Sequence, residues 1–157
     1  MSTQAVGAAA AGTVVIGGGG TLAAYAAGAF DKDNYLTQAK KDSDIKNKKE
    51  YIGKNKDEIS KLLSSGTTDT TYQTALDGAW DNMDSSGLPS ITKPEKTSVK
   101  DNTKASEVAN YTNAWCEHIS KKTLEKPPID ADADKNTWDA FKAACFNTKK
   151  FTPVAGG

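Results

Sequence analysis

Apolar side chains recur three and four positions apart along four stretches of the chain from residue 55 onward, and this spacing is typical of amphipathic helices. The first stretch opens with Asn55-Lys-Asp-Glu58, an Asn variant of the capping box, and ends near Gly66. The second follows Asp69, the third covers about 104–124, and the fourth starts near Asn136. The apolar positions are Ile59, Leu62, Leu63, Tyr72, Ala75, Leu76, Ala79, Trp80, Met83, Val108, Tyr111, Thr112, Trp115, Ile119, Trp138, Phe141, Ala144 and Cys145.

The four stretches predict an all-α domain at 55–157, built as a small bundle of three to four helices. No alternating strand pattern of useful length follows Ile16. Residues 85–104 contain two Pro and many Ser, Thr and Lys, so a long loop that is either functional or mobile is expected there. The large aromatic residues on the helix stripes are expected to form the core, and they are Trp80, Trp115, Trp138 and Phe141.

The segment at 31–54 is rich in Lys and Asp and carries few residues to bury. Its larger apolar or aromatic residues are Tyr35, Leu36, Ile45, Tyr51 and Ile52. Such a composition suits a tether or a solvent-facing helix better than a core element. We therefore predict a polar linker at 31–54.

Residues 1–30 hold an uncharged run from Ala5 to Phe30, which is 26 residues long against about 20 needed to span a bilayer as a helix. Seventeen of the 26 are Ala or Gly, so the membrane-seeking side chains are few. The membrane segment is expected to rest on larger side chains that include Val14, Val15, Ile16 and Leu22. A membrane anchor or an uncleaved signal is the favoured interpretation; a signal peptide cleaved after Ala29 and a soluble Ala/Gly tail are the alternatives.

The glycines at Gly18 and Gly20, with Ala23, also fit a degenerate dinucleotide-binding pattern after a short strand. That reading needs a second apolar strand ending in an acid about 20 residues later, and 31–50 contains none. We therefore predict no dinucleotide site, and no other cofactor is expected.

The charges of the chain balance, with 20 basic and 20 acidic residues, and every basic residue is Lys. A balanced chain has no global field to gather nucleic acid. Without Arg, the bidentate reading of guanine edges is also lost. Nucleic acid is therefore excluded as an expected partner.

Cys116 and Cys145 are the two cysteines of the chain, and each lies on or beside the apolar face of a predicted helix. If the two helices form a hairpin around Lys126-Pro-Pro, the thiols come within disulfide range. An exported domain would form this bridge, whereas a domain in a reducing compartment would bury two reduced thiols as small apolar groups.

Catalytic and metal-binding patterns are weak. Cys116 and His118 are two positions apart on a helix and so point away from each other, which argues against a Cys-His pair and leaves His118 as a surface residue. The run Asp130-Ala-Asp-Ala-Asp begins like a calcium loop, but Lys135 and Phe141 replace its turn Gly and its bidentate Glu. We predict an acidic helix start with no metal site, and no enzyme activity.

Several stretches together resemble a set of small paralogous surface or membrane proteins of haemotropic mycoplasmas. The stretches that carry the resemblance are Ala5 to Phe30, Tyr51-Ile-Gly, Ile59-Ser-Lys-Leu-Leu, Ala114-Trp-Cys116 and Trp138 through Ala144-Cys-Phe146. The absence of Arg and the tail at 151–157 fit that family only loosely. The resemblance implies a membrane-associated, surface-displayed protein of varying antigenicity with no assigned enzyme activity.

The sequence therefore predicts a non-enzymatic protein held to membrane lipid by residues 1–30, with its helical domain outside the cell. Its polar faces and the 85–104 loop are expected to meet host or extracellular proteins. The alternative is a soluble or secreted helical module that binds a small ligand or calcium between its Trp-bearing helices.

Overall fold

Five α-helices and two short strands build the described part of the domain, and the last four helices follow the predicted apolar periodicity. The computed structural model describes residues 33–149 except 65, 67, 68 and 89. The elements are α1 (Tyr35–Lys41), β1 (Lys49–Tyr51), α2 (Lys56–Leu63), α3 (Thr71–Ala79), α4 (Ala105–Ser120), α5 (Lys135–Ala144) and β2 (Phe146–Thr148). Three short 3₁₀ helices cover Trp80–Asn82, Lys96–Lys100 and Asn102–Lys104. The described part of the chain is thus mostly helical.

Side chains just before the helices fix where three of them begin. Asn34 accepts a hydrogen bond from the Thr37 N–H at 2.9 Å, and Thr37 Oγ1 accepts one from the Asn34 N–H at 2.8 Å. Asn55 accepts from the Glu58 N–H at 3.1 Å, which confirms the predicted start of α2. Asp69 accepts from the Thr71 N–H at 2.9 Å ahead of α3. Each acceptor satisfies a backbone donor that the helix itself leaves unpaired.

The prediction of a polar linker at 31–54 is wrong for the part that the structure describes, since this segment packs into the domain. Tyr35 and Ala39, one helical turn apart on α1, are buried, as are Ile45 and Ile52. Gln38 is also buried, and its Nε2 donates to the Glu125 carbonyl at 2.6 Å. The composition of this segment suggested a linker, but a few well-placed apolar residues per turn are enough to pack a segment into the core. The polar side chains between them can then face water.

A two-stranded antiparallel sheet joins this segment to the end of the domain. β1 pairs with β2 in the register Lys49 with Thr148 and Tyr51 with Phe146. The Ile52 N–H donates to the Cys145 carbonyl at 2.9 Å, which continues the pairing on one side. The strands were not predicted, because three residues are too few to show an alternating pattern.

The helices pack as two principal pairs. Helix α4 lies mainly against α2, and α5 lies mainly against α3. The expected close hairpin of α4 with α5 is therefore not the main helix contact of the fold. One continuous apolar core fills the space between the helices, and it includes the expected Trp80, Trp115, Trp138 and Phe141, all at most 2 % exposed.

The expected membrane segment, with Val14, Val15, Ile16 and Leu22, lies outside the described residues. Among the helices that are described, none combines the length and the apolar character needed to cross a membrane.

Two glycines give opposite expectations for substitution by alanine. A Cβ on Gly53 would lie 2.6 Å from the Cβ of Cys116 and 2.7 Å from the Tyr51 ring, so Gly53→Ala is expected to lower the free energy of unfolding by about 2 kcal/mol. A Cβ on Gly78 in α3 would meet nothing within 4 Å, so Gly78→Ala is expected to raise it by about 0.8 kcal/mol through helix propensity.

Urea denaturation of both variants beside the parent chain measures the two effects. If both variants changed the free energy of unfolding by the same amount in the same direction, the result would contradict the close approach of Cys116 and Tyr51 to Gly53.

Candidate functional site

The two cysteines form a disulfide at the centre of the fold. Cys116 on α4 and Cys145 directly after α5 are bonded, with their Cα atoms 5.6 Å apart and a sequence separation of 29. Both side chains are fully buried. The bond confirms the predicted pairing. Because its two ends belong to different helix pairs, it ties the α2–α4 pair to the α3–α5 pair.

Tyrosine hydroxyls reinforce the same junction. Tyr51 donates to the Cys116 carbonyl at 3.2 Å, and Tyr72 on α3 donates to the Ala144 carbonyl at 2.7 Å. Burial raises the pKa of Tyr51 to about 12 and also raises the pKa of Tyr72, with smaller contributions from nearby carboxylates. Both phenols therefore stay neutral hydrogen-bond donors and are unsuited to act as bases near neutral pH.

Aromatic rings pack against one another around Phe141 in the core. The Phe141 ring lies 5.7 Å from the Tyr35 ring, 5.6 Å from Phe146 and 6.5 Å from Trp115, measured between centroids. The Phe141 contacts with Tyr35 and Phe146 are edge-on, a geometry that aromatic pairs prefer. Phe141 and Trp115, two of the predicted core residues, thus take part in this aromatic packing.

The segment expected as a long loop at 85–104 is held against α3 and the turn that follows it. Trp80 Nε1 donates to the Pro94 carbonyl at 3.2 Å, and Gln73 Nε2 donates to the Val99 carbonyl at 3.1 Å. The Lys93 ammonium donates to the Trp80 carbonyl at 2.7 Å and lies 5.5 Å from the Trp80 ring centroid. Partial burial lowers the pKa of Lys93, against the field of nearby carboxylates. The described part of this segment is thus packed onto the core, and Val99 is buried.

A small polar cavity lies beside Trp115, and we name it the tryptophan cavity. Its volume is about 130 Å³, and its lining consists of Asn82, Asp84, Ser86, Trp115, Ile119, Lys122 and Thr137. The Trp115 Nε1 atom is buried and has no hydrogen-bond acceptor among the described residues. An unmet buried donor is uncommon in folded proteins, and ordered water or a ligand is its usual partner. Sequence patterns could not reveal this cavity, because its residues come from three separate elements.

Nearby, Thr112 Oγ1 is a second buried polar atom without a partner among the described residues. Valine has nearly the shape of threonine and lacks the hydroxyl, so Thr112→Val is expected to raise the free energy of unfolding by about 1 kcal/mol. Thr37→Val is the matched control with the opposite sign, since the Thr37 hydroxyl takes part in the capping box. Thermal unfolding of both variants measures the effect. A loss of stability in Thr112→Val as large as in Thr37→Val would show that the hydroxyl is bonded.

The predicted surface histidine is partly buried. His118 packs against Gly87, where an added Cβ would lie 2.7 Å from its ring and where φ is +82°. Gly87 therefore combines a left-handed backbone with a close approach, and alanine would be strained there. His118 thus has a packing contact in addition to its solvent-facing part.

The acidic run before α5 forms a turn. Asp132 accepts a hydrogen bond from the Ile129 N–H at 2.9 Å, and Lys135 lies 3.6 Å from Asp130 and bonds to Asp139. In the part of the chain that the structure describes, no three His, Cys, Asp or Glu side chains are grouped as a metal site would need. Ile129 in the same turn is 66 % exposed and is the large apolar residue that this surface presents to solvent.

Comparisons with protein-family models, with curated proteins and with solved structures give no match to this chain.

Proposed function

We propose that this chain is a non-enzymatic, membrane-anchored protein that displays its disulfide-linked helical domain outside the cell. Residues 1–30 would hold the chain in membrane lipid, and the polar faces of the domain would meet host or extracellular proteins. The proposal includes membership of the surface-protein set of haemotropic mycoplasmas that the sequence resembles.

The observation that carries the proposal is the buried disulfide. Structural disulfides form and persist in oxidising environments and are rare where glutathione and thioredoxin keep thiols reduced. Cys116 and Cys145 are both 0 % exposed and lie where two helix pairs meet, so the bond belongs to the core. A domain built around such a bond is suited to fold after export.

The uncharged run from Ala5 to Phe30 supplies the second support. Its 26 residues exceed the length that a spanning helix needs. An exported domain that follows such a run would remain at the membrane surface. Display of the domain then requires only exposed polar surface. The Lys- and Asp-rich faces of the domain provide much of that surface.

Three readouts on intact cells test the proposal. Free thiols are blocked before lysis, and the protein is then reduced and mass-tagged, so that two tags report an oxidised pair. A membrane-impermeant amine reagent reports exposure of the lysines, and detergent-phase partition reports the anchor. We expect two tags, surface labelling and recovery in the detergent phase.

Matched variants make the result specific. Cys116→Ala/Cys145→Ala should take up no tag, and deletion of residues 5–30 should move the protein out of the detergent phase. Reduced thiols in growing cells, or a full-length chain that stays inside the cell, would overturn the proposal.

A second candidate is a soluble or secreted module that binds a small ligand. The unmet Trp115 N–H beside the tryptophan cavity favours it, because Lys122 and Thr137 add further donors there for a small carboxylate. The Ser86 hydroxyl already donates to Asp84. Titration of the full-length protein with small carboxylates, followed by tryptophan fluorescence, tests this candidate, and Trp115→Phe should abolish the response. The same titration is repeated with calcium. A fluorescence change that occurs with calcium alone would instead favour calcium binding by the acidic turn at 130–134.

A further inference from the structure

A concave patch of lysines lies where the turn after α1 meets the end of β2. The cavity measures about 300 Å³, and we name it the lysine basin. Four lysines line it, together with one acid, one amide and three apolar or aromatic residues. They are Lys40, Lys46, Lys49 and Lys149, with Glu50, Asn47, Ile45, Tyr51 and Phe146.

Backbone geometry brings these lysines together. The Lys46 N–H donates to the Asp42 carbonyl at 2.7 Å, and the Lys49 N–H donates to the Ile45 carbonyl at 3.0 Å, which closes the turn. Asn47 within it has a φ of +67°, a left-handed conformation that Asn tolerates better than most residues. The Lys149 N–H then donates to the Lys48 carbonyl at 3.0 Å and places the last lysine at the same edge.

The four ammonium groups of the basin form no ion pair with any carboxylate of the described residues. Asp42, which follows α1, is paired elsewhere, with its Oδ2 3.0 Å from the Lys142 Nζ. Burial alone would raise the pKa of Asp42, but hydrogen bonds from the Asp44 N–H and Lys142, with the charges of Lys142 and Lys49, lower it. The lining therefore carries four positive charges against one negative charge, that of Glu50.

The floor of the basin is the half-buried Tyr51 ring, and buried side chains support it. Phe146 and Ile45 are buried, and the half-buried Tyr51 ring lies 5.3 Å from the Phe146 ring. The Tyr51 hydroxyl is fixed on the Cys116 carbonyl beside the disulfide. A cationic rim over a rigid aromatic floor can hold a ring-shaped anionic unit, since the ring packs on the floor while its charged groups reach the rim.

We propose that the lysine basin binds sulfated polysaccharide, taking one sulfated sugar unit onto the floor and its sulfate groups onto the lysines. Lysine ammonium groups act as point charges and suit sulfate esters in varied positions, and the chain has no Arg for planar bidentate recognition. A concave basin also receives a projecting sugar chain better than the flat surface of a bilayer.

The proposal is independent of the anchor and of the side of the membrane on which the domain lies. It depends on a local field, since the whole chain has zero formal net charge at pH 7. Binding to a polyanion would therefore report the local charge of the lysine basin, and the net charge of the whole chain would contribute little.

The test titrates the full-length protein with heparin by calorimetry at several salt concentrations. We expect the logarithm of the binding constant to fall with the logarithm of salt concentration with a slope of about 3 to 4, because each neutralised charge releases about one counterion. Lys46→Gln/Lys49→Gln should weaken binding by about tenfold or more at about 0.1 M salt and reduce the slope by about 2. Lys121→Gln/Lys126→Gln, the same charge change at exposed sites outside the basin, should leave binding within about twofold.

Two further probes separate the ligand classes. The first is a non-sulfated polysaccharide, and the second is a pair of lipid vesicles with and without phosphatidylserine. Binding of heparin that depends on Lys46 and Lys49 and is lost with the non-sulfated polymer supports the proposal. It is overturned if heparin fails to bind, if the control variant weakens binding as much as the basin variant, or if the basin variant reduces binding to phosphatidylserine vesicles as strongly as binding to heparin.

Discussion

Replacing Phe141 with alanine is expected to lower the free energy of unfolding by about 4 kcal/mol. Phe141 is 0 % exposed, and its ring contacts Tyr35 from α1, Tyr51 and Phe146 from the two strands, and Trp115 from α4. Truncation removes the transfer energy of the ring and leaves a void whose aromatic walls belong to four elements. Such walls cannot collapse together easily, which places the loss near the upper part of the usual range.

Urea denaturation of the full-length chain, followed by tryptophan fluorescence and by circular dichroism, measures the loss. Ile129→Ala is the matched control, because Ile129 is 66 % exposed and its truncation should change stability by less than about 0.5 kcal/mol. Since whole domains have only about 5 to 15 kcal/mol of stability, Phe141→Ala should lie close to the unfolding threshold. A loss below about 1 kcal/mol would show that the ring is not central to the core.

Removing the disulfide is expected to lower the free energy of unfolding by about 3.6 kcal/mol. The bond closes a loop of 29 positions, and in the chain-entropy model the stabilisation comes from restricting the unfolded chain. Cys116→Ala/Cys145→Ala is the suitable double variant, because alanine leaves no buried hydroxyl unpaired at these fully buried sites.

The unfolding midpoint of the oxidised parent chain is compared with that of the double variant and with that of the parent chain kept in reductant. Reduced parent and double variant should unfold at similar denaturant concentrations, well below the oxidised parent. Identical midpoints for all three samples would contradict a structural role for the bond. The single variant Cys116→Ala should resemble the double variant, since one cysteine alone cannot form the intramolecular cross-link.

Helices α2 to α5 could be predicted from the sequence because each carries more than one turn of apolar periodicity, whereas α1 lies in the segment predicted as a linker. The predicted helix ends were less accurate where tertiary contacts determine the end of the helix. Helix α4 was expected to reach Leu124 and ends at Ser120, because Thr123 pairs with Asn34 as an isolated bridge and the Leu124 N–H donates to the Asp33 carbonyl at 2.9 Å. These partners belong to the segment that composition had assigned to a linker.

The disulfide and the aromatic core could be inferred from residue types on apolar faces, whereas the cavities could not. The tryptophan cavity combines side chains from the turn that follows α3, from α4 and the residues just after it, and from α5, and no sequence spacing links them. The lysine basin was hidden for a related reason. Three of its lysines are mixed with Asp and Glu along the sequence, and only the fold brings Lys149 beside the turn at Asn47.

The position of the disulfide also decides what happens when a protease reaches this domain. The exposed Ile129 and the exposed acidic residues after it lie between the two bonded cysteines. A single cut at Ile129 would therefore produce two polypeptides that stay covalently joined, and the nick would become visible only on a reducing gel. Until that bond is reduced, a clipped molecule would release neither fragment.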